Sequence, residues 1–244
     1  MTSYSIKSVS EFINKISSRY QADDVLFRGQ SQDWDLLPPL ARLDRRDPIR
    51  TLPETEEKMF SDFKRMALPY LDGTPESDWD WISIARHHGL PTRVLDWTTN
   101  PLAALWFAVR APAATDEDGD AIDGVVWAFE CETHDYVVEK RGPFEQAATR
   151  VFQPRHITRR ISAQAGWFTV HYMNSSDKFV PMQKNKNYKT RLRQFIIPAD
   201  CFAEIRGQLD RCGINVATML PGLDGLCGQI SWQNGLLSDE FEKV

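Results

Sequence analysis

The chain predicts an α+β fold. Helical and strand-like stretches are mixed along it without the regular β-α-β alternation of a doubly wound sheet. Its 244 residues, 42% hydrophobic and 26% charged, have the composition of an ordinary globular protein. No repeat or low-complexity segment interrupts them, and one domain over residues 1–244 is expected.

The elements follow in order. Ser8-Val9-Ser10-Glu11 has the form of a capping box and opens a helix over 8–20, with Val9, Phe12, Ile13 and Ile16 as its apolar stripe. Residues 24–28 read as a strand closed by Gly29. Residues 30–53, centred on Pro38-Pro39, read as a loop that wraps the surface near Arg28. A helix over 54–68 carries Met59, Phe60, Phe63, Met66 and Ala67 on one side. Ser77 caps a helix over 78–88 that stops at Gly89, with Pro91 beyond it. Residues 92–97 form a short strand. Asn100 caps the next helix, Pro101 occupies its first turn, and residues 102–109 are apolar nearly all round, so this helix is buried.

Further on, the acidic run 116–120 is an exposed turn lacking the ligand spacing of an EF-hand. Residues 124–131 and 135–139 read as strands paired across 132–134, and 167–173 and 192–198 as two more. Asp200 caps a helix to Cys212 that Gly213 ends, and 222–232 is a last short helix. The N-terminal helix and the helices over 200–232 are expected to pack on the sheet.

Composition excludes several classes. A net charge of -5 argues against a broad nucleic-acid-coating surface. Local basic clusters remain, at Arg155, Arg159 and Arg160 and over 184–193. The four cysteines form neither a C-x-x-C pair nor a zinc spacing, as expected of free thiols in a reducing cytosol. No stretch is long and apolar enough for a membrane span, so a soluble, cytoplasmic protein with no membrane partner is expected. No P-loop, G-x-G-x-x-G, H-E-x-x-H or G-x-S-x-G is present.

Two polar islands carry the candidate chemistry. In Phe27-Arg28-Gly29-Gln30, an arginine fork stands beside a glycine whose backbone a flat or anionic ligand can approach. The alternative is an Arg28 that pairs with an aspartate to fix a turn. In the run 87–108, His87 and His88 end a helix, where they complement its dipole or face a substrate. Thr92, Val94, Asp96 and Thr98 share one strand face, and Arg93, Leu95 and Trp97 the other. Asp96 is placed to hold Arg28 or His88, or to cap the next helix. Gln164 beside Gly166 offers an amide to a sugar or base edge, or locks a turn. The Arg159-Arg160 pair before it offers anion contacts or a solvated face. The many tryptophans are expected mostly in the core.

Leu26-Phe27-Arg28-Gly29-Gln30, the run from His87 to Thr98 with Asn100-Pro101 and Ala104, and Arg160-Ile161 with Gln164, Gly166 and Phe168 resemble the FRG domain family, as does the Gly213 to Leu226 pattern. The resemblance covers nearly the whole chain. The aromatic-Arg-Gly opening is also distantly similar to arginine-type ADP-ribosyltransferases, which implies a split mixed or antiparallel sheet flanked by helices. It implies an NAD-binding, NAD-consuming protein, a toxin or phage-defence effector, with no metal and with a protein or nucleic-acid acceptor. On that resemblance Phe27, Arg28, Gly29, Gln30, Thr92 and Arg93 contact the cofactor, and Arg28, His88, Asp96, Thr98 and Gln164 serve the reaction. Gln164 stands where those enzymes carry a glutamate, and an amide cannot stabilise an oxocarbenium-like charge. Another acid, Asp96 or Glu145, then supplies the charge. Otherwise the protein is a non-catalytic nucleotide-sensing or interaction module on the same fold.

Overall fold

A computed structural model describes residues 2–20, 24–71, 73–138, 140–155 and 163–240. The fold is α+β, with seven α-helices among the described residues around one curled, mixed seven-stranded sheet. The strands are β1 (Ser3–Ser5), β2 (Val25–Gln30), β3 (Val94–Thr98), β4 (Gly124–Glu130), β5 (Arg150–Phe152), β6 (Gly166–Val170) and β7 (Leu192–Ile197). Their order is β1-β7-β4-β2-β3-β6-β5. Only β1 and β7 run parallel; every other neighbouring pair is antiparallel.

The sheet is one piece with a weak seam. β2 meets β4 over six residue pairs from Val25 with Glu130 to Gln30 with Val125. Across its other edge, β2 meets β3 through a single pair, Phe27 with Thr98. The two halves of the sheet therefore splay apart beyond that pair.

The helices are α1 (Val9–Arg19), α2 (Leu52–Ala67), α3 (Asp78–His87), α4 (Pro101–Val109), α5 (Phe202–Arg211), α6 (Val216–Met219) and α7 (Leu223–Asn234). Their starts are set by local chemistry. The Ser8 and Ser77 hydroxyls and the Asn100 carboxamide accept backbone amides of the first turns of α1, α3 and α4. Gly89 and Gly213 stop α3 and α5 at φ +90° and +77°, the left-handed region in which glycine is unstrained. The Asp200 side chain caps nothing; α5 starts after a 3₁₀ turn, with Cys201 at its cap position.

Alternation along the strands divides the core. Phe27, Val126, Ala128 and Phe195 face α1, α4 and α5, with Phe12, Leu105 and Phe202 at the centre. Leu26, Leu95, Trp97, Trp127 and Phe129 face the other way, onto Leu36, Met182 and Tyr188. Val94, Phe168 and Val170 pack on Phe60, Trp81 and Ile82 of α2 and α3. The 30–53 loop lies near Arg28 as expected, yet it is anchored inward, because Leu36 and Leu40 are fully buried.

Several expected details are corrected. β2 runs on through Gly29 and Gln30. Ile13 and Met66 are exposed rather than on a buried stripe. No β4 hairpin over 135–139 forms among the described residues, because both edges of β4 are taken, by β2 and β7. Instead 133–135 make a 3₁₀ turn and Tyr136 bridges Val151. The strands β1 and β5 and the helix α6 were not expected.

Candidate functional site

The seam between β2 and β3 opens into a cleft of about 680 Å³. It gathers most of the expected residues: Phe27 to Gln30 from β2, His88 after α3, Asp96 and Thr98 from β3, and Gln164 before β6. The two polar islands thus line one cleft.

Arg28 bridges the seam. Its Nη1 donates to the Asp96 carbonyl at 2.8 Å, where two paired strands would have a backbone bond, and its Nε donates to Gln30 Oε1 at 3.3 Å. Gln30 in turn donates to the Trp34 carbonyl at 2.9 Å, which ties the long loop to the site. The Asp96 carboxylate lies 3.6 Å from Arg28 Nη1 and accepts from Arg86 Nε at 3.0 and 3.2 Å. Burial pushes the Arg28 guanidinium down to about 10, against the upward pull of Asp96, so it stays cationic at neutral pH. Burial raises the Asp96 carboxyl, but Arg86 and Arg28 outweigh this and hold it below the usual aspartate range. The Arg28 side chain is 20% exposed and its Nη2 makes no hydrogen bond among the described residues.

The other candidates have narrower roles. Gly29 lines the cleft and is also required by α4: a Cβ there would lie 1.7 Å from the Ala104 carbonyl oxygen and 2.8 Å from the Ala108 nitrogen. Phe27 turns its ring into the core against Tyr20. Thr98 donates to the Gln164 carbonyl at 2.6 Å and accepts the Asn100 amide at 2.9 Å, so its hydroxyl holds the turn into α4. Gln164 Nε2 donates to the Met219 carbonyl at 2.8 Å, fastening α6 to the cleft. His88 sits exposed on the rim, where its amide closes the last turn of α3 on Ile84.

Thr92 and Arg93 do not reach the cleft. Thr92 is buried, and Arg93 forms a buried two-point ion pair with Glu56 of α2, against the Phe144 ring. Glu145 bonds the Gly142 amide and lies away from the cleft. The Arg159-Arg160 pair lies outside the described residues. Most tryptophans are in the core as expected, Trp81, Trp106 and Trp127 among them, while Trp34 and Trp97 line the cleft.

Sequence reasoning missed Arg86, Arg110, Trp34 and Phe107, which line the same cleft. Arg86 had a signal: it lies one helical turn before Gly89, close to where the adjoining strand must begin. With three arginines and one aspartate, the described lining is cationic, and Trp34 and Phe107 add apolar wall. Such a lining suits a ligand that combines an anionic group with a flat apolar part. Among the described residues no cluster of His, Cys, Asp or Glu could hold a metal ion, and no helix is long and apolar enough to cross a membrane.

An α+β domain with an arginine-rich cleft at a sheet seam is thus the class that fold and site define. The FRG domain family model matches residues 23–117, so this stretch, from β2 through α4 and most of the cleft wall, is an FRG domain. No curated protein and no solved structure matches the chain.

Proposed function

We propose that the cleft binds a phosphate-bearing nucleotide, with NAD as a candidate, and that the protein is a nucleotide-binding module over the whole of 1–244. The observation that carries this is Arg28: half-buried, cationic and braced on two sides, with Nη2 unpaired among the described residues in a cleft that Arg86 and Arg110 also line. An anion there gains charge-assisted hydrogen bonds without ordering a flexible side chain.

Binding is favoured over ADP-ribosyl transfer. A transferase needs a carboxylate beside the ribose as positive charge develops on it. In the described lining the only carboxylate is Asp96, and Arg86 and Arg28 already hold it. Gln164 supplies an amide committed to Met219.

Calorimetry with ADP, NAD and adenosine, with nicotinamide release followed in parallel, tests the proposal. ADP and NAD are expected to bind without turnover, adenosine to bind far more weakly, and Arg28→Ala to weaken ADP at least roughly tenfold, the size of one charge-assisted bond. Equal affinity for adenosine and ADP would sink the anion site. Nicotinamide release lost in Arg28→Ala would restore the transferase, with a protein or nucleic-acid acceptor still to be found.

A further inference from the structure

The 30–53 loop brings one aromatic residue to the cleft, Trp34, and leaves it 43% exposed. Its amide donates to the Gln32 carbonyl at 2.8 Å and its carbonyl accepts from Gln30, so the surface it offers is chiefly indole. No hydrogen bond, ion pair or ring contact engages that indole among the described residues. A lone exposed aromatic is ordinary on a protein surface. What sets Trp34 apart is how firmly its backbone is held.

Both neighbours are pinned. The Asp33 carboxylate accepts Gln194 Nε2 of β7 at 3.0 Å on each oxygen. The Asp35 carboxylate accepts Gln183 Nε2 at 2.7 Å and Lys184 Nζ at 2.9 Å, and its carbonyl accepts Arg42 Nη2 at 2.6 Å. Leu36 follows, fully buried, with its amide donating to Gln183 Oε1 at 3.1 Å. The entropy of ordering this backbone is therefore lost on folding, before a ligand arrives, while the ring stays partly in water. An aromatic face fixed in this way gains its burial only when a flat group lies against it.

The ring is also tied to the anion fork. Gln30 is 4% exposed; its Oε1 accepts from Arg28 Nε and its Nε2 donates to the Trp34 carbonyl. One buried carboxamide thus sets the separation of the two. We propose that Trp34 is the platform on which the ligand's base stacks, and that the cleft takes nucleoside diphosphates with little regard to which base they carry. The diphosphate rests on the cleft being an anion site; the platform does not. Base tolerance follows from what the wall has left to offer. One base is told from another by directed hydrogen bonds to its edge. Both ends of the Gln30 carboxamide, the Thr98 hydroxyl and the Gln164 amide nitrogen are already bonded within the protein. The indole offers a π-face, and every base can stack on one.

Calorimetry on the full chain with ADP, UDP, adenosine and ribose 5-diphosphate, which is ADP without its base, tests the proposal. ADP is expected to bind roughly tenfold more tightly than ribose 5-diphosphate, and UDP within roughly fivefold of ADP. Trp34→Leu is expected to bring ADP down to the affinity of ribose 5-diphosphate and to leave the latter unchanged. Trp34→Phe, which keeps a ring, is expected to restore most of the difference. Ribose 5-diphosphate binding as tightly as ADP, or Trp34→Leu weakening the two alike, overturns the platform. A larger preference between ADP and UDP overturns the base tolerance. Adenosine that binds as tightly as ADP, and is lost in Trp34→Leu, removes the anion site and leaves the platform standing. Failure of both ADP and adenosine to bind removes both.

Discussion

At the scale of single residues, burial decides which charged groups stabilise and which remain available to a ligand. Arg93 and Glu56 have side chains only 9% and 5% exposed, and each satisfies the other. Glu56→Gln leaves a buried guanidinium without its countercharge and is expected to cost about 3–5 kcal/mol, read from the urea midpoint at unchanged m. His171 shows the opposite case. Burial and the nearby Arg28 lower its imidazole from 6.5 to about 3, so it is neutral when folded. In the unfolded chain it takes up a proton below about pH 6.5. The unfolded state then binds more protons, and this residue's contribution falls as pH falls, by about 1.4 kcal/mol per unit between the two values. Urea unfolding at a series of pH values is expected to show that slope in the native chain and a shallower one in His171→Phe; equal slopes would refute it.

Residue roles were only partly legible in the sequence. That Asp96 holds Arg28 could be expected from two opposite charges near strand ends. That Arg86 holds Asp96 more closely depends on how α3 crosses β3. Thr92 and Arg93 were misplaced for a definite reason. Alternation tells which residues share a strand face, but not how far along the strand the cleft extends, and both lie beyond the end of β3 away from the seam.

At the scale of elements, termini were the most legible part. Ser8, Ser77 and Asn100 cap where their sequence patterns place them, because a capping side chain and the amides it binds are neighbours in the chain. The edge strands β1 and β5 have three residues each and depend on distant partners, so no local pattern marks them. The expected hairpin after β4 failed for the same kind of reason: strand pairing is settled by the whole sheet. Gly29 joins the two levels. It reads locally as a ligand-facing glycine, and it is also the contact that lets α4 lie on β2. Gly29→Ala forces strand and helix backbones apart and is expected to cost at least about 1–3 kcal/mol. A thermal midpoint within error of the native one would show that α4 shifts freely.

At the scale of the whole molecule, the division of the sheet is what makes the site. β1, β7, β4 and β2 form one half with α1, α4 and α5; β3, β6 and β5 form the other with α2 and α3. The charged groups that line the described cleft come from β2 and from the consecutive stretch of α3, β3 and the end of α4, which the fold brings back beside residue 28. The resemblance implied a split sheet; the seven strands instead form one continuous, curled, mixed sheet, in which β2 and β3 meet through a single residue pair.

That seam is bridged by a side chain where a ladder of amides is usual, and the difference has a dynamic consequence. A guanidinium that a ligand's anion can recruit is also the strut between Asp96 and β2. An anion that pairs with Nη2 leaves that strut in place and adds a tie to it, while the six-pair ladder of β2 with β4 is untouched. Deuterium uptake is therefore expected to slow at the backbone of β3 when ADP is bound and to stay unchanged along β4. Faster uptake in β3 would mean that the anion pulls Arg28 off the Asp96 carbonyl.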